Sequence, residues 1–187
     1  MKHHKWILSL LLVALIGVGA TGAYLVASSG TVKNTFASGN VHTDIEEDVG
    51  QEGQKEVAIR NDGELPVYVR ARIVVGGADM SKVEYTYTKP DDTVLASSDK
   101  VYVILNNAND WKQVAEGNNN WFYYCKYLPA NQGEESKTSL LMSKVYIGGK
   151  ANVDEAHFTV TITQEAVVAS DTTLNTPAAI EKAFNAR

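Results

Sequence analysis

Alternation of apolar and polar positions at a period of two dominates the chain beyond its first apolar stretch. In Pro66–Gly76, Val67, Val69, Ala71, Ile73 and Val75 fall on one face, and Tyr68, Arg70, Arg72 and Val74 on the other. That is a strand with one buried face opposite a basic, partly aromatic one. The same period gives strands at Lys82–Thr88, Lys100–Leu105 and His157–Thr163, the last being the clearest because Phe158, Val160 and Ile162 alternate with Thr159, Thr161 and Thr163. Glu56–Arg60, Trp121–Leu128 and Leu140–Ile147 add three more, and Thr31–Phe36 and Val41–Ile45 are shorter candidates. Turn-forming residues separate them: Asn61-Asp62-Gly63, Gly76-Gly77, Pro90-Asp91-Asp92, Asn131-Gln132-Gly133 and Gly148-Gly149.

The helical period is rarer. Thr176 as N-cap and Pro177 as first helical residue predict a helix whose inner face carries Ile180, Ala183 and Phe184. A second short helix is expected over Asn109–Ala115. Many short strands, frequent turns and one or two short helices specify an all-β fold, an antiparallel sandwich or barrel.

The N-terminus obeys neither period. Lys2 and Lys5 precede an unbroken apolar run from Trp6 to Ile16, and small residues follow at Gly17, Gly19, Ala20, Thr21, Gly22 and Ala23. A basic start, an apolar core and small residues at −3 and −1 form a secretory signal peptide, with cleavage between Ala23 and Tyr24, or one residue earlier. The competing reading is a membrane anchor, since no charge occurs between Trp6 and Val32. The Gly-rich end and the lack of a following Lys/Arg cluster favour cleavage, so contact with the membrane is expected only during export.

Charge sharpens that division. The chain has 187 residues and a net charge of −5, from 17 Lys and Arg against 22 Asp and Glu. Both basic residues of 1–23 leave with the signal, so the remaining chain carries −7. An acidic domain is a poor partner for nucleic acid, whose phosphates are held mainly by Lys and Arg. The expected organisation is a signal peptide over 1–23, a mature N-terminal segment over 24–45 and a sandwich domain over 46–187.

Candidate chemistry is sparse. The single cysteine, Cys125, shares alternation with Trp121, Tyr123 and Tyr127, and no neighbouring residue supplies a base; a buried, inert thiol is the expectation. Beyond the signal the only imidazoles are His42 and His157, and neither has zinc-ligand spacing. Asp154-Glu155-Ala156-His157 sets two carboxylates beside a His at a strand entrance, where charged residues are expected simply to face water. Asp44-Ile45-Glu46-Glu47-Asp48 lacks calcium-loop spacing and reads as a solvated, edge-protecting segment. No phosphate-binding loop, dinucleotide fingerprint, serine-nucleophile elbow or C-x-x-C pair occurs in the mature chain. No catalytic residue, metal or cofactor is therefore expected.

Gly22-Ala23-Tyr24, followed by Ser29-Gly30-Thr31-Val32-Lys33-Asn34-Thr35-Phe36-Ala37-Ser38-Gly39-Asn40-Val41, resembles the start of the TasA/camelysin family of exported proteins processed by a SipW-type signal peptidase. Asn61-Asp62-Gly63 before Val67-Tyr68-Val69-Arg70, Trp121-Phe122-Tyr123-Tyr124 before Leu128-Pro129, and Glu165-Ala166-Val167 are similar to later stretches of that family. Asn118-Asn119-Asn120 departs from its pattern. The resemblance implies a jelly-roll-like sandwich, secretion to the cell surface or biofilm matrix, and no enzymatic activity. It also implies fibres made when the N-terminal segment of one subunit completes a sheet of the next, with Val32, Phe36, Val41 and Ile45 as candidate anchors. The expected partners are the signal peptidase, then further copies or a related matrix protein. Two alternatives stay open: a camelysin-like secreted metallopeptidase, and a monomeric adhesin or accessory module binding through Arg70, Arg72 and Tyr68.

Overall fold

A computed structural model describes residues 41–49, 53–114 and 120–186. The signal segment 1–23, the cleavage residues Ala23 and Tyr24, the strand expected at Thr31–Phe36 and the anchors Val32 and Phe36 lie outside the described residues.

Two sheets face each other. The first has the order β1 (Thr43–Val49), β2 (Gln54–Asn61), β8 (Met142–Ile147), β5 (Val101–Leu105) and β4 (Val83–Thr86). The second has the order β6 (Trp111–Gln113), β7 (Phe122–Tyr124), β3 (Val67–Gly76) and β9 (Thr159–Val168). Their inner faces meet in one core. Val57 and Ile59 of β2, Val103 of β5 and Met142 of β8 oppose Val69 and Ile73 of β3 and Ile162 of β9. Each fully buried side chain of this size contributes about 1.5–3 kcal/mol relative to exposure. The alternation in Pro66–Gly76 is therefore the alternation of a real core face: Val67, Val69, Ala71, Ile73 and Val75 are all buried there. Beyond it, Gly77 (φ +72) packs against the backbone of His157 and Phe158, where an added Cβ would come within 2.8 Å. That approach and that φ both require glycine, and β3 ends just before it.

The outer face of β3 is not solvated as a basic strand face would be. The C-terminal helix α2 (Pro177–Asn185) lies over it. As the sequence predicts, Thr176 caps this helix by accepting from the Ala179 amide, and Pro177 occupies its first turn. Ile180 and Phe184 bury against Tyr68, Trp121 and Tyr123, forming a second, smaller core. Arg70 is held by Glu165 at 2.6 Å and lies over both the Trp121 and Phe184 rings at 4.5 Å. Arg72 also lies 4.5 Å over Trp121. The face offered as an adhesin surface is thus largely occupied by the protein's own helix.

Three expectations are corrected. Asn109–Ala115 does not begin a helix: after one turn closed by Trp111 N–H on the Asn107 carbonyl at 3.1 Å, the chain becomes β6, with Trp111 opposite Tyr124. Burial decides this, because Trp111 reaches the core at 1% exposure and donates Nε1–H to the Ser139 carbonyl at 2.9 Å. The antiparallel rule fails once, since β4 runs parallel to β5. A parallel pair needs a crossover, and the Tyr87–Lys100 connection supplies it, with a short helix α1 (Asp92–Ser97) where only a turn was expected. Finally, the Trp121–Leu128 strand stops at Tyr124. Trp121 and Tyr123 enter the second core, Cys125 is buried in the following turn, and Tyr127 is 40% exposed, so these four do not share one face.

Candidate functional site

The titratable groups do not converge on a reaction centre among the described residues. Burial pushes the Cys125 thiol up from its ordinary value, and its nearest polar contact is the Tyr123 carbonyl at 3.7 Å. A protonated, buried thiol with no adjacent base is a poor nucleophile. Asp110 beside it is committed to Lys126 at 2.6 Å, Ser139 at 3.0 Å and Asn107 at 2.7 Å. His157 is exposed, and its Nδ1 donates to the Asp154 carboxylate at 2.7 Å, a bond that lowers the Asp154 carboxyl. A cleft of about 640 Å³ opens nearby between Gly77, Asp79, Lys82, Asp99, Lys150 and Asp154. Within it Lys82 is paired with Asp99 at 2.6 Å.

One grouping has donor atoms a metal could use. His42, Asp44 and Asp62 each offer a ligand atom, all within 4.8 Å of one another. His42 Nε2 lies 3.4 Å from Asp44, and the Asp62 amide donates to the His42 carbonyl at 2.9 Å. Sequence reading missed Asp62 because the residue reaches His42 only through the β1–β2 pairing; extending the alternating register of that hairpin by one step would have found it. All three residues lie at the surface or partly exposed, and a His–Asp ion pair accounts for the closest contact.

The feature with the strongest physical consequence is the pair of sandwich margins. On one side β4 and β6 terminate the two sheets, and on the other side β1 and β9 do. The β4/β6 margin is short and sealed. Tyr85 donates to the Ile73 carbonyl at 3.0 Å and stacks edge-on against Phe122, while Tyr87 donates to the Trp111 carbonyl at 3.4 Å. Burial raises both phenols above their ordinary value.

The β1/β9 margin is long. β1 carries the acidic run, which the register now explains. Glu46 points out to Arg60 and Lys137, which hold its carboxyl below the usual range. Glu47, on the inward parity, forms a nearly buried pair with Lys55 at 2.9 Å. Val41 and Ile45, two of the expected anchors, pack against the core of their own chain, with Ile45 opposite Ile59. β9 is paired along all ten residues to β3, and its other edge pairs with no strand among the described residues. It contains no Lys, Arg, Pro or Gly, and its one charge, Glu165, is neutralised by Arg70. Inside this margin Gln164, 2% exposed, donates to the Thr43 carbonyl at 2.8 Å. Its Oε1 is buried without a hydrogen-bond donor among the described residues.

Set against known proteins, the chain matches no protein-family model, no curated protein and no solved structure.

Proposed function

We propose that this protein is an exported, non-enzymatic component of a cell surface or extracellular matrix, of the TasA/camelysin type, that assembles by adding the N-terminal segment of one copy to a sheet of the next. The jelly-roll-like architecture implied by that resemblance belongs to the same proposal. One observation carries it: β1 is paired to β2 from Thr43 to Val49 and so belongs to the sandwich of its own chain. Val41 and Ile45 serve their own core, which leaves Val32 and Phe36 as the proposed anchors in a neighbour. Strand addition draws affinity from main-chain hydrogen bonds and register from alternate side chains. A head-to-tail contact of this kind does not close, and so gives a filament.

The test is electron microscopy with size-exclusion chromatography of the chain beginning at Tyr24, over a range of concentrations, beside a chain lacking residues 24–40. Filaments from the first and a soluble folded monomer from the second are expected. Monomer from both chains at every concentration would leave the binding-module alternative. Stoichiometric zinc together with proteolysis lost on His42→Ala would replace the proposal with the metallopeptidase alternative.

A further inference from the structure

We infer that His42, Asp44 and Asp62 form a site for one zinc ion, which clips the entrance of β1 to the turn between β2 and β3. The inference stands apart from the assembly proposed above. Strand parity brings the three residues together. His42 and Asp44 lie two apart and share one face of the chain, with Thr43 on the other. Thr43 pairs with Asn61 and Asp44 with Arg60. The Asp62 amide donates to the His42 carbonyl at 2.9 Å, which carries the pairing one step past β1. Asp62 therefore stands opposite His42, on the face that Asp44 shares. The backbone beneath the three side chains is already fixed. Gln164 holds the Thr43 carbonyl at 2.8 Å, between the two ligands of the β1 side. Asn61, fully buried, donates to the Leu65 and Pro129 carbonyls at 2.9 and 3.0 Å and accepts from the Gly63 amide at 3.0 Å. Both residues next to the ligands are thus anchored, and little backbone ordering is left for an ion to impose.

The donor set and its spacing select the ion. One imidazole nitrogen and two carboxylate oxygens lie within 4.8 Å of one another. His42 Nε2 and Asp44 Oδ2 are 3.4 Å apart, whereas the His157–Asp154 hydrogen bond measures 2.7 Å. A separation of 3.4 Å falls within the edge, about 3.3–3.6 Å, of a tetrahedron of nitrogen and oxygen donors around zinc. Asp62 borders solvent, so rotation of its side chain closes the remaining distance. A carboxylate has two oxygens, and ligation through one leaves Asp44 its other contacts. Arg60, opposite Asp44, donates to Glu46 and lies 3.6 Å from Glu134. Two carboxylates balance the double charge of the ion, the imidazole ligates in its neutral form, and water takes the fourth position. The imidazole disfavours calcium and magnesium, which take oxygen ligands in larger number.

Isothermal titration of the chain beginning at Tyr24 with zinc chloride tests the site, beside His42→Ala, Asp62→Asn and His157→Ala. One ion per chain is expected. Altering a residue that merely orients a ligand costs roughly 10–100-fold in metal affinity, so His42→Ala and Asp62→Asn should each weaken binding by at least about tenfold. His157→Ala, which removes the other exposed imidazole of the sandwich, should leave the affinity unchanged. Calcium chloride should give no comparable binding. Because the ion ties His42 to Asp62, saturating zinc should also slow hydrogen exchange of the Asp62 amide, and should fail to do so in His42→Ala. Equal zinc affinity in His42→Ala or Asp62→Asn overturns the assignment, as does calcium bound as tightly as zinc. Zinc bound without slower exchange at Asp62 overturns the clip. Casein hydrolysis by the zinc-loaded chain that is lost in His42→Ala overturns a purely structural role.

Discussion

The two margins of this sandwich solve the same problem with opposite chemistry. Where β4 meets β6, the edge strands are short and aromatic groups seal the gap: Trp111 lies against Tyr124 at 5.2 Å, and Tyr85 and Tyr87 reach across to the other sheet. Where β1 meets β9, the edges are seven and ten residues long, and what joins them is polar: Gln164 to the Thr43 carbonyl, with Lys55–Glu47 on the neighbouring hairpin. An aromatic seal is closed to a partner because its contacts are already dense. A polar margin is held instead by a few directed hydrogen bonds, and one acceptor inside it, Gln164 Oε1, has no donor among the described residues.

The largest effect expected from this contrast is at the sealed side. Trp111→Ala removes a side chain 1% exposed together with its hydrogen bond to Ser139, and should cost about 3–5 kcal/mol. Urea denaturation of the chain lacking residues 24–40 measures it. A loss under about 1 kcal/mol would mean that this margin is not a core wall, and the contrast would collapse.

The open side should respond to charge and not to volume. Lys55 and Glu47 are 8% and 11% exposed, so Lys55→Met strands a carboxylate that water barely reaches, at about 3 kcal/mol. The double change Lys55→Met with Glu47→Leu should recover most of that loss, because the desolvation penalty of both ions disappears together. Additive losses in the same denaturation series would show that the pair does not act as a unit.

How much of this was legible in the sequence depends on how local the deciding force is. β3 and β9 were readable because the inward parity of Val69, Ile73, Val160 and Ile162 is set residue by residue along each strand. The cap at Thr176 and Pro177 is likewise local, and the C-terminal helix stands where they place it. β6 was not readable, since three residues cannot establish a period and the deciding contact is from Trp111 to Ser139, distant in sequence. The parallel β4–β5 pair was hidden for the same reason: nothing in Tyr87–Lys100 announces a crossover until both flanking strands have found their neighbours. Arg70 and Arg72 looked solvated because alternation reports which face a residue takes, not what later covers that face. The margin itself lay furthest from view. Gln164 is an inward polar residue in an otherwise apolar series, and that break in parity at the end of the clearest strand was the available signal.

The smallest effect is a pH dependence confined to the open side. Glu46 accepts from Arg60 and from Lys137 at 2.5 Å, and these cations, in that order, hold its carboxyl below the ordinary 4.5. A carboxyl with a depressed folded pKa contributes its stability in full above its unfolded value, and loses it as pH falls from 4.5 through the lower folded value. Glu46 is 35% exposed, so solvent screening limits the contribution to less than about 1 kcal/mol, and salt should shrink it further. Stability of the intact domain should therefore show a shallow fall below pH 4.5 that is reduced in Glu46→Gln. The sealed margin has no counterpart: Tyr85 and Tyr87, its closing groups, have phenols raised by burial and stay protonated throughout that range. Amide hydrogen exchange should consequently show β1 loosening relative to β6 as pH falls through 4.5 to about 3.5, and Glu46→Gln, which lacks these ion pairs at every pH, should loosen β1 above pH 4.5 as well, with little further change below it. If β6 loosened first in the unaltered chain, the polar margin would be the stronger of the two, and the contrast between the margins would be gone.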